Sequence, residues 1–300
     1  MISVNRSRCL RLRFNRSSCR RCAEICPKDA VRIDESGISI DEARCSDCML
    51  CASVCLSGGL EPERLDILSI SSKLMRSSRP VLGCGRIAGL EAHVQTCCLG
   101  VLCEQYLALL SLMLSKPLQL NLSKCEGCTN RAIVAVLQHR SESICTTLGF
   151  DLIVIVREEE RLEYCPEGYD RRGFFSAIGE MTRSFISEFS HGVDEEVPSR
   201  YGAKYVPMKR RALNRALDLL PEDRRNAAAE LFNYSIDLDE NCSGCSACFA
   251  ICPTGALKIA EGSPPVGFRS SFCTGCMLCS DFCKDESISL RSAPLLDKCS

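Results

Sequence analysis

The sequence predicts a multidomain protein of mixed α+β and α/β class, in which two small cysteine-rich modules flank a small open parallel α/β domain. Three observations predict it. The pattern CxxCxxCxxxC occurs in pairs near both ends, around residues 19 to 55 and again around 242 to 283, and a repeat of this kind marks a duplicated structural unit. Between the two ends, short apolar runs alternate with longer helical patterns over roughly residues 79 to 190, as strands joined by helical crossovers do. A polar stretch from Ser190 to Tyr205, holding Gly192, Pro198 and Gly202, reads as a linker. The expected divisions are 1–72, 79–190, 191–232 and 233–300.

Taken in order, Ser7 to Phe14 alternates like a strand ahead of the first cysteine run. Strand candidates in the middle domain are Pro80–Gly83, Ala92–Thr96, Leu118–Leu122 and Asp151–Val156. Leu102 to Leu114 carries apolar residues at helical spacing, as does Ile133 to Leu137, and Phe174 to Phe189 continues the pattern after the last strand. Lys209–Leu220 and Glu222–Phe232 read as a helical pair turning at Pro221, placed to position the last module.

A chain of 300 residues, 46% hydrophobic and 25% charged, is ordinary globular material, but its 25 cysteines are not ordinary. The N-terminus meets arginines at once and has no signal-type apolar stretch, so a cytoplasmic location is expected. The apolar run Tyr106–Leu114 is about half a membrane span, so no direct membrane span is expected. A reducing cytosol disfavours structural disulfides, which leaves metal as the main use of the thiolates. Residues 1 to 33 carry nine Arg or Lys against Glu24 and Asp29. Because these arginines surround cysteines, they suit charge compensation at a thiolate site or an acidic partner better than nucleic acid, which is not an expected partner.

The cleanest motif is C-terminal: Cys242, Cys245, Cys248 and Cys252 precede Pro253, and Cys273, Cys276, Cys279 and Cys283 repeat the spacing. This module resembles the bacterial dicluster ferredoxins, in which two-residue gaps aim three sulfurs at one cubane while the fourth cysteine reaches the neighbouring one. The resemblance implies crossed ligand sets for two 4Fe-4S clusters, Cys242, Cys245, Cys248 and Cys283 for one, Cys273, Cys276, Cys279 and Cys252 for the other. Zinc usually draws its ligands from two separated CxxC pairs, and three cysteines two apart do not suit one tetrahedral ion.

The N-terminal module repeats the pattern with a departure. Cys45, Cys48, Cys51 and Cys55 are complete, but the first run offers only Cys19, Cys22 and Cys26 before Pro27, with Arg16 where a cysteine should stand. One 4Fe-4S cluster is expected on Cys45, Cys48, Cys51 and Cys26. The other has Cys19, Cys22 and Cys55, and is either a 3Fe-4S cluster or takes a fourth ligand. Cys9 is the nearest candidate, although an extended segment would hold it roughly 20 Å from position 16. Only a reversed loop would deliver it, and the alternative is a buried structural thiol.

The middle cysteines sit just past the expected strands: Cys84 after the first, Cys97 and Cys98 after the second, Cys125 and Cys128 after the third, Cys165 beyond the fourth. Ligands bind outside the carboxyl ends of strands in an open parallel sheet, so these residues converge at one edge. A fifth iron-sulfur cluster is expected there on Cys84, Cys98, Cys125 and Cys128, with Cys97, Cys103 and Cys165 as substitutes; a zinc site or free buried thiols are the alternatives. The stretch Cys98–Leu102 through Cys125–Cys128 also resembles the small iron-sulfur subunit linking hydrogenases to heterodisulfide reductases, a likeness confined to about residues 80 to 160 that implies a cluster on a cysteine set of this kind. Cys145 and Cys299 have no evident partner.

No GxGxxG follows a strand, no Walker loop occurs, and His93, His139 and His191 form no acid-base or metal pair, so no catalytic residue is expected. The expected function is an iron-sulfur electron-transfer subunit relaying low-potential electrons to or from a partner oxidoreductase, such as a dehydrogenase, hydrogenase or reductase subunit. Two alternatives stand beside it. One is a reductase whose middle domain holds a catalytic cluster or redox-active cysteines, motivated by adjacent Cys97 and Cys98; the other is a redox-sensing iron-sulfur binding protein.

Overall fold

The computed structural model describes residues 1–35, 37–114, 116–148, 152–166, 203–222, 225–226, 229, 232–262 and 265–291. At the N-terminus, strand β1 (Ile2–Val4) pairs antiparallel with β4 (Leu60–Pro62), Ile2 opposite Pro62. A hairpin of β2 (Val31–Asp34) and β3 (Gly37–Ile40) lies between them in the chain. Alternating residues Val31 and Ile38 turn inward, as the two-residue period of a strand requires. With Leu60 and Ala52 they form a small core that also takes in Cys22 and Cys51.

One expectation is corrected here: Ser7 to Phe14 is not a strand. Arg6–Arg8 is a 3-10 turn and Leu10–Arg13 is a single helical turn, α1, with Phe14 N–H returning to Leu10 O at 2.9 Å. The alternation of Arg and Leu that mimics a strand arises because Leu10 is buried in the module while Leu12 packs over the hairpin turn at Gly37, whose positive φ of 112° and close contact to Leu12 leave no room for a side chain.

Short helices α2 (Arg21–Glu24) and α3 (Leu50–Val54) carry the later cysteines of each run. Helix α4 (Ile67–Leu74) leaves the module, its first turn capped by Asp66 accepting from Ser69 N–H at 2.9 Å.

The middle domain is a four-stranded sheet of β5 (Val81–Cys84), β6 (Val94–Thr96), β7 (Leu118–Asn121) and β8 (Ile153–Val156), ordered β6-β5-β7-β8 and parallel throughout. Parallel neighbours need crossovers. Helix α5 (Glu104–Met113) makes the one from β6 to β7, and α6 (Ile133–Leu148), longer than the pattern predicts, makes the one from β7 to β8. β5 and β7 are buried along their whole length, as strands covered on both faces are.

Helix α7 (Met208–Asp218) packs into this same core, where Leu213, Ala216, Leu217 and Phe232 join Leu107, Leu110 and Leu120. The predicted helix Phe174–Phe189 and nearly all of the linker Ser190–Tyr205 lie outside the described residues, as does part of Glu222–Phe232.

The C-terminal module repeats the N-terminal plan. β9 (Ser235–Leu238) pairs antiparallel with β12 (Ile288–Arg291), and the hairpin β10 (Leu257–Ile259) and β11 (Val266–Phe268) lies inside them in sequence, between helices α8 (Ala247–Ile251) and α9 (Leu278–Phe282).

Two polar hubs join the parts. Glu61 accepts from Arg8 at 3.1 Å, Tyr205 OH at 2.7 Å and Met208 N–H at 2.7 Å. Fully buried Arg210 donates to Phe232 O, Asn233 Oδ1, Ser270 O and Ser271 O at 2.7 to 2.9 Å. A buried cation is tolerable only when its donors are matched in this way. Among the described residues no helix is long and apolar enough to cross a membrane.

Candidate metal centres

The C-terminal cysteines form two groups. A small pocket is lined by Cys252, Cys273, Cys276 and Cys279, one cysteine from the first run and three from the second. Gly275 and Met277 flank Cys276 with φ of 68° and 62°, left-handed turns that let a short loop wrap its sulfurs around one point. Burial, then the facing thiols, pushes Cys279 up to about 12. Cys273 is pushed up to about 11, by burial first and by Cys252 among the rest, and Cys276 higher still. Cys252 is also pushed up by burial, but amides of Leu257, Thr254 and Ala256 and the Thr254 side chain outweigh this and lower it.

In the outer group, Cys248 is pushed up by burial and by Cys242 and Cys245, again across positive φ values at Gly244 and Ser246. Cys283 shares a core with Cys248 and lies 3.4 Å from the Ser287 hydroxyl. Cys245 is exposed.

The N-terminal module repeats the crossing. A second small pocket is lined by Cys26, Cys45, Cys48 and Cys51, with positive φ at Asp47 and Met49. The remaining thiols, Cys19, Cys22 and Cys55, are joined by Cys9. Burial raises Cys9, Cys19 and Cys22, the last to about 12, and the Cys55 thiol raises all three further.

Cys9 arrives by the reversed loop. Its N–H closes the 3-10 turn on Arg6 O at 3.0 Å, just as Cys273 N–H closes a 3-10 turn on Ser270 O at 2.9 Å. Cys9 thus follows a turn of the same kind as the one before Cys273, with residues 10–18 between it and Cys19. The backbone differs accordingly: Arg20, which follows Cys19, has φ −133° where the other runs have a left-handed residue.

In the middle domain, Cys84 ends β5, Cys98 follows β6, and Cys125 and Cys128 follow β7. Cys84 and Cys98 are neighbours: the Cys98 thiol and then Arg86 hold Cys84 down, while Cys84 and burial push Cys98 up. Cys125 is pushed up to about 11 by burial, then by Cys84 and Cys128. Asn130, which sequence reasoning did not single out, donates its backbone N–H to Cys128 Sγ at 3.5 Å and its side-chain amide to Cys98 Sγ at 3.7 Å.

The substitute cysteines lie differently. The Cys97 thiol meets the Thr96 hydroxyl at 3.8 Å, Cys103 is buried beside Lys209 and Glu104, and Cys165 is exposed with its carbonyl 3.0 Å from His93 Nε2. Cys145 packs against the core from α6, and Cys299 lies outside the described residues.

The residues fit iron-sulfur clusters. Thiolates in groups of four are the ligand set such clusters take. Ala30 N–H points to Cys26 Sγ at 3.3 Å and Leu60 N–H to Cys55 Sγ at 3.4 Å. Ser46 Oγ and Thr274 Oγ1, each directly after the first cysteine of a run, are buried without a hydrogen-bond partner among the described residues. An orphaned polar group costs free energy unless something in the site accepts it. Among the described residues no three His, Cys, Asp or Glu side chains gather tightly enough to hold a single ion; two of the cysteine sets surround cavities instead.

Residues 16–58 match the family pattern described as a 4Fe-4S dicluster domain, and residues 234–284 match another of the same description. The chain carries two 4Fe-4S dicluster domains. It is therefore an iron-sulfur electron-transfer protein. The first match begins at Arg16, where the cysteine is missing, and leaves Cys9 outside. Neither match reaches residues 80–160, so the likeness of that stretch to the small hydrogenase-linking subunit finds no support in them. No curated protein and no solved structure matches the chain.

Proposed function

We propose that the protein is an electron-transfer subunit relaying low-potential electrons to or from a catalytic oxidoreductase partner. In this reading, Cys242, Cys245, Cys248 and Cys283 hold an outer 4Fe-4S cluster, and Cys252, Cys273, Cys276 and Cys279 an inner one. Cys9, Cys19, Cys22 and Cys55 hold a third, Cys26, Cys45, Cys48 and Cys51 a fourth, and Cys84, Cys98, Cys125 and Cys128 a fifth iron-sulfur centre. Such clusters supply reversible one-electron uptake and release.

The observation that carries the reading is that the thiol sets stand in file. Cys248 of the outer set adjoins Cys279 of the inner one. Tyr234 packs on Gly275, between Cys273 and Cys276, and the charges of Cys273 and of Arg21, next to Cys22, both reach it. Cys22 adjoins Cys51 within the N-terminal module. Cys48 in turn adjoins Cys98 of the middle domain. The chain's own contribution is to hold these thiols in order and to bury or half-bury all of them but Cys245.

The reductase alternative draws less support: Cys97 meets the Thr96 hydroxyl while Cys98 accepts from the Asn130 side chain, so the adjacent thiols face different neighbours. Anaerobic titration with a counted low-potential reductant tests the relay. At least about four electrons per chain should be taken up and returned to a soluble acceptor. Failure of reversible uptake, or reduction of a disulfide by the protein alone, would refute it.

A further inference from the structure

The segment between Cys9 and Cys19 reaches away from its own module. Phe14 meets Phe282 of the C-terminal module edge to face, ring centroids 5.2 Å apart. Arg13 donates from Nη2 to Ala203 O, while its Nε, also buried, has no hydrogen-bond partner among the described residues. Burial lowers the Arg13 pKa, and the groups that oppose this are Cys252 and Cys276, both of the inner C-terminal set.

Other cations converge there from outside the module. Lys204 Nζ donates to Phe249 O, Ala250 O and Cys252 O at 2.7, 2.9 and 2.8 Å. Arg210 holds Ser270 O and Ser271 O, the turn that leads into Cys273. The outer set has a carboxylate instead: Asp285 accepts from Ser243 Oγ at 2.5 Å, between Cys242 and Cys245.

We propose that Arg13, a residue of the first module's interrupted motif, serves the second module: its charge and its unpartnered Nε–H stabilise the reduced inner centre and set its potential above that of the outer centre. The reason is elementary. Taking up one electron adds one negative charge to a thiolate-bound cluster, and a fixed cation with a free N–H donor favours that charge. The segment between Cys9 and Cys19 delivers this donor.

The proposal rests on the cluster reading above, and its test separates the two. Full-length protein prepared anaerobically is titrated under EPR as wild type, Arg13→Gln and Arg13→Lys, the inner signal being the one lost in Cys276→Ser. Arg13→Gln should lower the midpoint of the inner signal and leave the others in place; Arg13→Lys, which keeps charge but loses the planar Nε–H, should lower it less. An unmoved inner midpoint, or one shift common to every centre, overturns the proposal while the signals themselves uphold the clusters. Absence of any iron signal in wild type refutes the cluster reading instead. Should Arg13→Gln lose its iron, Arg13→Lys decides alone, and no downward shift there overturns the proposal.

Discussion

The side-chain amide of Asn130 donates to Ser46 O at 3.1 Å, fastening the mouth of the middle sheet to the loop that carries Cys45 and Cys48. Gly100 makes the same junction close. A Cβ at this position would fall 2.2 Å from Cys48 O, and backbone cannot yield as a side-chain tip can.

Gly100→Ala should therefore part the middle domain from the N-terminal module. Overpacking of this kind costs about 1–3 kcal/mol. Calorimetry should find a lower Tm, and iron analysis a loss from the sets at Cys48 and Cys98. A variant as stable and as iron-rich as wild type would count against the close junction.

Cys9→Ala removes the first ligand of the proposed third set. The third set then keeps Cys19, Cys22 and Cys55, and iron should fall by about one to four per chain with one EPR signal altered and the rest intact. An unchanged iron count would return Cys9 to the status of a structural thiol.

Arg210→Met leaves Phe232 O, Ser270 O and Ser271 O buried without their donor. The loss should be on the order of 3 kcal/mol or more, read as a lower denaturant midpoint. A change near zero would mean that these carbonyls find other partners.

Iron-free protein should respond to alkali. Burial and mutual repulsion push Cys22 and Cys279 up to about 12 and Cys273 to about 11, so the folded apo form holds protons that an unfolded chain releases near the ordinary thiol value. Its stability is fully present below that ordinary value, about 8.5, and drains away as pH rises through 11 to 12. Urea midpoints of the apo form should be level from about pH 6 to 8 and fall above about 9. A midpoint rising over that alkaline range would contradict the burial of these thiols.

Much of this was legible in the residues, for physical reasons. Two-residue gaps between cysteines force tight loops, so the grouping of Cys273, Cys276 and Cys279 follows local geometry, while the family resemblance implied that Cys252 crosses to join them around one cavity. The middle strands declare themselves through short runs of Val, Leu and Ile between helical patterns, although β7 also buries Gln119 and Asn121. Cys9 was legible only as a candidate: alternating Arg and Leu imitates a strand, and the helical turn at Leu10–Arg13 depends on contacts with Gly37 that no local pattern reveals. Asn130 and Arg13 were not legible at all. Each acts across a junction between domains, and residue spacing carries no record of which surfaces meet.

The most direct measurement is iron and acid-labile sulfide in full-length protein purified without oxygen. About sixteen irons per chain are expected from the four end sets, with further iron from the middle set that disappears in Cys125→Ser. Colourless protein carrying zinc in place of iron would contradict the account.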